Sequence, residues 1–365
     1  GRAKSQEAEK KLKEVKAQLS KFGITSNPTS TVLEPSDFIA ALVYLLKLTQ
    51  GDGKIDDIDH LGNRRVRRVG ELVQQNAFRV GILRLERVIK ERMSLISTDG
   101  PLPAPSTLIN ARPVIAAVNE FFRSSQLSTI LDQTNPLSEL DNLRRLTVMG
   151  TGGITRERAS FSIRDINHSQ YSRIDPIRSP EGPNIGLVTY LSLLAKVNQY
   201  GFLEAPYRKV VKVAGRAKVT DEIVYLAADD EENYYITHVG IKIGKTGFIE
   251  DEIVPVRYAG EFLSAPSKLV DFIDVISRQI VGTSASLIPF LAHDEANRAL
   301  MGTHMQCQAV PLVKPETPVI GTGMESVVAD NMGRVVKSPV DGKVTYVDCS
   351  RVSVKPKKGD SIEFP

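Results

Sequence analysis

The sequence predicts an α+β protein of several domains, helical in its N-terminal half and irregularly β-rich afterwards. A length of 365 residues is enough for roughly two or three domains. Up to about residue 123, apolar side chains recur every three or four positions, which is the spacing of a helix with one buried face. Beyond Ile185, short β-branched and aromatic runs between Gly and Pro turns replace that spacing, which favours strands.

Four helices are predicted in the first part of the chain. They cover residues 4–22, 36–48, 67–93 and 113–123. Ser36 is the expected N-cap of the second helix, and Gly51 is expected to close it. Pro113 suits the first turn of the fourth helix, where its missing N–H costs nothing.

The later part of the chain is predicted to be mostly strands and loops. The expected elements are a glycine loop at 150–153, strands within 186–190, 222–226 and 342–347, an exposed acidic loop at 229–232, and one more helix at 267–280.

Composition excludes several classes of protein. Apolar residues make up 41% of the chain and charged residues 25%, which fits a folded protein with a core. No apolar run approaches the ~18 residues of a membrane span, and no secretory signal is visible. Cys307 and Cys349 form no CxxC pair, so a disulfide framework is not expected. The low cysteine content fits a reducing, cytoplasmic compartment, and the absent initial Met together with the ending at Pro365 suggests a fragment.

Charge is segregated along the chain. Residues 62–92 carry nine Arg and Lys against three Glu, and residues 142–173 carry six Arg against two acidic residues. Residues 219–256 carry nine acidic residues against two Lys. Arginine-rich blocks are typical of proteins that bind a polyanion, because guanidinium pairs with phosphate through two hydrogen bonds. A solvated helix face explains the same blocks equally well.

Short enzyme motifs are absent. The sequence contains no Walker A, GxSxG or HExxH pattern, and its five His lie far apart, so no local metal site is predicted. His293 beside Asp294 fits either an acid–base pair or, more simply, a surface histidine. Asp57 and Asp59 fit either a carboxylate pair for a metal or, more simply, a capping loop.

Four segments combine Gly, Pro and charge in a way that an ordinary core does not need. They are residues 58–65, 152–158, 179–186 and 296–302. Together with further runs, they closely resemble the β subunit of bacterial-type multisubunit DNA-directed RNA polymerase. The resemblance covers about residues 36–350, and its further runs are 78–81, 121–122, 124–132, 135–139, 200–208, 285–294 and 308–311.

The resemblance implies a division into four regions. They are a helical lobe or protrusion-like segment at 1–53, a fork region with a rifamycin-pocket-like segment and a fork loop at 54–184, a β-rich external region at 185–283, and the start of the hybrid-binding wall at 284–365. The catalytic Mg²⁺ of this family is held by the β′ subunit, so the chain alone is expected to bind no cofactor and to be inactive.

The resemblance also implies roles for single residues. Arg298 and Asn297 match contacts to the phosphates and the ribose of the incoming nucleotide. The alternative for both is a helical salt bridge and a cap. The positions that match contacts along the RNA–DNA hybrid are Gln126, Arg145, Pro180, Glu181 and Asn184. Those that match a pocket for one non-template base are Ile58, Asp59 and Arg64, and those that match the fork loop beside the downstream duplex are Arg156 and Arg158.

Residues 126–149 resemble the rifamycin-binding wall of the family. The positions of the sensitive pattern are Leu127, Asp132, Ser138 and Arg145, with Thr129 in place of Gln, Asn142 in place of His and Thr147 in place of Ser. Elsewhere, Ala77 replaces the usual Gln after Asn76, and Cys307 replaces an arginine often present in the hybrid wall.

The sequence therefore predicts part of a β subunit that acts in template-directed nucleotidyl transfer. The expected partners are the β′, α and σ subunits, template and non-template DNA, nascent RNA and ribonucleoside triphosphates, with no membrane. The alternatives are a non-catalytic nucleic-acid-binding module and a purely structural assembly protein.

Overall fold

A computed structural model of the chain describes residues 32–53, 55–96, 104–213, 215–332, 336 and 338–364. The chain divides into two compact units, Gly1–Ile58 and Asp59–Pro365. The helix predicted at 4–22 lies outside the described residues. No helix in the described ranges is long and apolar enough to cross a membrane.

Helix α1 of the first unit spans Pro35–Thr49, and its N-cap is Glu34 rather than the predicted Ser36. The backbone N–H of Glu34 donates to the Asp37 carboxylate at 2.9 Å. Pro35 explains the shift, because a residue without an N–H fits the first helical position and places Ser36 inside the helix.

The predicted long helix of the second unit is confirmed, with one irregularity. Helix α2 (Val69–Val73) continues through a π-helical turn (Gln74–Phe78) into α3 (Arg79–Ser94). After the short α4 (Pro105–Leu108), α5 (Arg112–Ser124) packs against α3. The contact is close at Gly81, where an added Cβ would lie 2.9 Å from the Val114 Cα.

A seven-stranded sheet forms the centre of the second unit. The strand order is β3-β4-β9-β6-β7-β8, with β5 paired to β4, and only β6 and β9 run parallel. The bounds are β3 Lys196–Val197, β4 Leu203–Val213, β5 Arg216–Ala227, β6 Ile236–Thr237, β7 Ile253–Tyr258, β8 Glu261–Pro266 and β9 Phe272–Asp274. Its main core consists of Val210, Ala217, Ile249, Val254, Val256, Ala265, Val270 and Ile273.

The prediction of a helix at 267–280 is wrong. This segment contains two 3₁₀ turns and, between them, β9, whose residues are all buried. Phe272 and Ile273 pair with β4 on one side and with β6 on the other. Tertiary pairing therefore decides the conformation of a segment whose local apolar spacing also suits a helix.

The loop predicted at 229–232 is wrong, although Asp229 and Asp230 are exposed as expected. Helix α8 (Ala228–Glu231) occupies this position, and its last residue is ion-paired in the interior. Glu231 lies 2.6 Å from Arg173 and 2.5 Å from Arg257. Burial raises the pKa of Glu231, but the two guanidinium charges outweigh this effect and hold the pKa below its ordinary value.

Two small sheets and several helices complete the second unit. Strands β1 (Arg145–Thr147) and β2 (Val188–Tyr190) form an antiparallel pair. A second sheet contains β10 (Gly342–Val347), β11 (Val352–Pro356) and β12 (Ile362–Phe364), which confirms the predicted C-terminal strand. The remaining α-helices are α6 Pro136–Leu143, α7 Phe161–Arg164, α9 Ala296–Gln308 and α10 Glu325–Asn331.

Candidate nucleic-acid and nucleotide interface

Arg298 and Asn297 lie in the exposed first turn of α9. The Glu295 carboxylate caps this helix by accepting a hydrogen bond from the backbone N–H of Arg298 at 3.2 Å. The Asn297 amide donates to the same carboxylate at 2.6 Å. The cap of α9 is therefore Glu295, and the Asn297 amide is held by the capping carboxylate.

The salt bridge that was the alternative for Arg298 is not found, because its guanidinium forms no ion pair with any residue that the structure describes. Its one hydrogen-bond contact is a long one, from Nη1 to the Met301 Sδ at 3.7 Å. An exposed guanidinium without a carboxylate partner keeps its donors available for an anionic ligand.

A buried ion pair lies against the buried face of α9. Arg178 Nε lies 3.1 Å from the Asp141 carboxylate, and both side chains are almost fully buried. Asp141 also accepts hydrogen bonds from the hydroxyls of Thr283, at 2.7 Å, and Ser284, at 3.2 Å. Because its charge is matched and hydrogen-bonded, this carboxylate can be buried without a large penalty.

Two side chains of α9 join the same cluster. Arg178 donates to the Thr303 hydroxyl at 3.3 Å and approaches the Cys307 sulfur at 3.4 Å. Burial raises the pKa of the Cys307 thiol to about 12, so it stays protonated and faces Asp141 at 3.5 Å. We call the cluster of Asp141, Arg178, Thr283, Ser284, Thr303 and Cys307 the polar junction.

Asn135 attaches the far end of α9 to α6. Its side chain accepts from the Ser138 N–H at 2.7 Å and caps α6. Its amide donates to the carbonyls of Gln306, Cys307 and Ala309 at 2.9–3.0 Å, which closes the C-terminus of α9. The polar junction and Asn135 therefore bind α6, α9 and the chain around Arg178 into one piece.

The turn at 179–186 holds three predicted hybrid contacts, Pro180, Glu181 and Asn184. Glu181 is exposed and lies 3.3 Å from His304 Nδ1 of α9. The Arg164 guanidinium donates to the carbonyls of Pro183 and Ile185, both at 2.9 Å, and fixes the path of the turn. The side-chain oxygen of Asn184 is buried without a hydrogen-bond partner.

Gln126 and Arg145, the other predicted hybrid contacts, are both exposed. Arg145 is the first residue of β1 and pairs with Tyr190 of β2. The neighbour of Gln126, Leu127, packs directly on the glycine loop, since a Cβ at Gly150 would lie 2.4 Å from the Leu127 side chain. The structure thus places the start of the predicted inhibitor wall beside the predicted fork loop.

The fork loop carries its two arginines on a short 3₁₀ turn, Arg156–Arg158. Arg156 and Arg158 are both exposed, and neither forms an ion pair within the described ranges. Arg67 supports the loop by donating to the Thr151 carbonyl at 2.7 Å. The loop can therefore present two uncompensated positive charges to a phosphate backbone.

The other predicted inhibitor-wall residues differ in exposure. Ser138 is buried and engaged with Asn135 in the cap of α6. Asp132 is exposed and accepts from Thr134, which lowers the pKa of its carboxyl. Thr129 and Thr147 are exposed, and Asn142 is half-buried.

The three residues of the predicted base pocket do not all belong to the same unit. Ile58 ends the first unit and is exposed. Asp59 and Arg64, in the second unit, lie 3.9 Å apart, which is a loose ion pair.

Sequence reasoning missed one cluster that can hold a metal ion. His60, His168 and Glu232 bring their ligand atoms within 4.8 Å of one another. Asp57 and Asp59 are not part of any such group within the described residues. No sequence signal could have found the cluster, because its members are separated by more than sixty positions at each step.

Three family models match successive parts of the chain. Residues 2–67 match RNA polymerase Rpb2, domain 2, and residues 129–197 match RNA polymerase Rpb2, domain 3. Residues 207–276 match the RNA polymerase beta subunit external 1 domain.

Full-length relatives match most of the chain. Three proteins named DNA-directed RNA polymerase subunit beta are similar to it. The protein of Syntrophomonas wolfei is 51% identical over 339 residues, which is 93% of this chain and 30% of the relative. That of Chelativorans is 52% identical over 90% of this chain and 23% of the relative, and that of Brucella melitensis is 50% identical over 92% and 24%. The chain thus matches between 23% and 30% of the length of these relatives.

Proposed function

The chain belongs, as a segment, to the family of DNA-directed RNA polymerase β subunits, and we propose that it lines the nucleotide and nucleic-acid path of such an enzyme. The observation that carries the proposal is the identity of 51% maintained over 339 residues. The polar junction supports it, because it holds the predicted nucleotide helix, the 179–186 turn and the predicted inhibitor-wall helix together.

Arg298 is the residue through which this segment acts on the reaction. Its guanidinium fork stabilises negative charge on the phosphates of an incoming ribonucleoside triphosphate. The exposure of this side chain, which forms no ion pair in the described part of the chain, supports the assignment. Asn297 is positioned beside it to hydrogen-bond a ribose hydroxyl, in exchange for its contact with Glu295.

The catalytic Mg²⁺ is held by the partner β′ subunit. Mg²⁺ requires several oxygen ligands in octahedral geometry. The assignment to β′ rests on the resemblance to the family. When bound, the ion supplies charge stabilisation for phosphoryl transfer.

The remaining predicted residues contact nucleic acid, and most of them do so without base specificity. Those along the RNA–DNA hybrid are Gln126, Arg145, Pro180, Glu181 and Asn184. Arg156 and Arg158 neutralise phosphates of the downstream duplex and favour separated strands. The pocket of Ile58, Asp59 and Arg64 accepts one non-template base, and the Asp59 carboxylate can accept from its amino group. The assembly contains β′, α and σ subunits.

The experiment changes Arg298 in an enzyme assembled with the rest of β and the other core subunits. Arg298→Ala removes a charge-assisted contact worth about 1.5–3 kcal/mol, so we expect about a ten- to hundredfold loss in single-nucleotide addition or nucleotide affinity. Arg298→Lys keeps the charge without the fork and is expected to recover part of this loss.

The matched control is Arg216→Ala, which removes an exposed arginine from the seven-stranded sheet. We expect this variant to add nucleotides like the unmodified enzyme, and all variants to bind DNA equally. Unchanged addition kinetics for Arg298→Ala would remove this residue from the nucleotide site.

A further inference from the structure

Two histidines and a glutamate from three distant segments meet on the second unit. His60 lies in the loop before α2, His168 begins a 3₁₀ turn, and Glu232 follows α8. Glu232 Oε1 lies 3.1 Å from His60 Nε2 and 3.2 Å from His168 Nε2. The two imidazole rings are 5.4 Å apart and tilted by 47°.

The two carboxylate–imidazole distances fit a tetrahedral metal ion. Zn²⁺ binds His nitrogen and carboxylate oxygen at about 2.0–2.2 Å, so two ligand atoms of a tetrahedral site lie roughly 3.3 Å apart. Both Oε1–Nε2 separations are close to that value. The set of two His and one Glu is also a known zinc ligand set that leaves a fourth position for water.

The burial of His60 supplies independent support. This residue is only 8% exposed, and its Nε2, which is aimed at the cluster, has no hydrogen bond of acceptable geometry. A buried nitrogen whose 3.1 Å contact with the Glu232 carboxylate is poorly aligned for a hydrogen bond gains less than a full bond, and a metal ion bound there would restore a strong interaction. His168 and Glu232 are each 42% exposed, so an ion can reach the site from solvent.

The surroundings fix the ligands and do not repel a cation. The His168 ring lies against Gly260, where an added Cβ would come within 2.8 Å of it. The site opens on a cavity of about 170 Å³ that is also lined by Arg173 and Arg257. Glu231 pairs with both arginines and Asp274 lies 3.7 Å from Arg257, so two carboxyl groups face the two guanidinium charges.

We propose that His60, His168 and Glu232 form a zinc-binding site that ties together three segments of the chain. The metal binds Nε2 of His60, so the proton of the neutral ring moves to Nδ1. In this structure Nδ1 instead accepts a hydrogen bond from the Gly62 N–H at 3.0 Å. This hydrogen bond breaks when the metal binds, because Nδ1 then carries the proton. Loss of the contact makes the site weaker than a fully preformed one.

The test titrates zinc into the chelator-treated 365-residue chain in competition with a chromophoric chelator. We expect one zinc ion per chain and a higher melting temperature in its presence, since a ligand that binds only the folded state stabilises it. His168→Ala and Glu232→Gln each remove one ligand at a partly exposed position and are expected to weaken binding at least tenfold.

The matched control is His238→Ala. The exposed His238 has the same local turn as His60, because its Nδ1 accepts from the Gly240 N–H at 2.9 Å, but it belongs to no group of three ligands in the described residues. Its removal is expected to leave zinc binding unchanged.

Cobalt supplies a measurement that does not depend on the variants. The unmodified chain is expected to give the intense visible absorption of four-coordinate Co²⁺, and zinc is expected to displace it. The proposal is overturned if the chain binds no zinc, if Co²⁺ gives only the weak spectrum of a six-coordinate ion, or if His168→Ala and Glu232→Gln bind zinc as tightly as His238→Ala.

Discussion

The buried position of Asp274 in the sheet changes the pKa of its carboxyl group. It accepts a hydrogen bond from the Tyr171 hydroxyl at 2.8 Å and lies 3.7 Å from Arg257. Burial outweighs both contacts and raises the pKa of Asp274 to about 6. The folded state therefore holds a proton on this group that the unfolded chain loses at a lower pH.

This shift predicts a pH-dependent contribution to stability. A raised folded-state pKa stabilises the fold below the unfolded-state value, and that contribution is lost as pH rises through about 6. Asp274→Asn keeps an acceptor for Tyr171 but cannot ionise. We expect the variant to gain stability relative to the unmodified chain, on the order of 2–3 kcal/mol, between about pH 4 and pH 7.

Denaturant unfolding at several pH values measures this difference, with Glu222→Gln as the control for an exposed carboxyl on the same sheet. A stability difference between Asp274→Asn and the unmodified chain that stays constant across this range would contradict the assigned pKa.

Residue identity in the predicted rifamycin wall leads to a pharmacological prediction. Thr129 and Asn142 replace a longer amide and an imidazole, so two hydrogen bonds to the drug are expected to be lost. At roughly 0.5–1.5 kcal/mol each, this weakens inhibition by about ten- to a hundredfold. Thr147 adds a methyl group on the exposed face of β1.

An inhibition titration of the assembled enzyme, beside the variant Thr129→Gln with Asn142→His, checks the effect. Equal inhibition of the two enzymes would show that these positions do not contact the drug.

The sequence predicted the role of some single residues but gave no signal for others. Arg298 was predicted as a ligand contact, and the structure shows that its side chain is exposed and forms no ion pair with the residues described. Asp141 and Arg178 carried no local signal, because their partnership needs residues from four separated segments. The same reason hid the His60 cluster.

At the scale of elements, the polar junction is what holds the predicted site together. Its Asp141–Arg178 pair is buried, so removal of one partner leaves an uncompensated charge. We expect Asp141→Ala to lower the free energy of unfolding by about 3–5 kcal/mol.

The control is Glu120→Ala, which breaks the 2.9 Å ion pair between Arg84 of α3 and Glu120 of α5. Both partners are about half-exposed, so this change is expected to cost no more than about 1 kcal/mol. Denaturant unfolding compares the two variants, and equal losses would mean that the junction contributes no more than a surface pair.

Elements with a strong local signal were predicted well. The long helix and α5 follow from apolar periodicity and from Pro113, and both are present. The segments 229–232 and 267–280 were wrong because buried partners decided their structure, the two arginines around Glu231 and the neighbours of β9. Such partners are distant in sequence and do not appear in the local spacing of apolar residues.

At the scale of the whole molecule, the proposed division of labour is that this segment shapes the site and a partner supplies the metal. The four region boundaries predicted from the resemblance remain predictions. The purified chain is expected to show no template-dependent synthesis, because the proposal assigns the ligands of the catalytic metal to the partner β′ subunit.

The most direct test replaces the matching segment of the Syntrophomonas wolfei β subunit with this chain and assembles the chimeric subunit with the other core subunits. We predict Mg²⁺-dependent, template-directed RNA synthesis by the chimera, and none by a β subunit lacking the segment or by this chain alone. A chimera that assembles and binds DNA but does not add nucleotides would contradict the account, as would synthesis by the isolated chain.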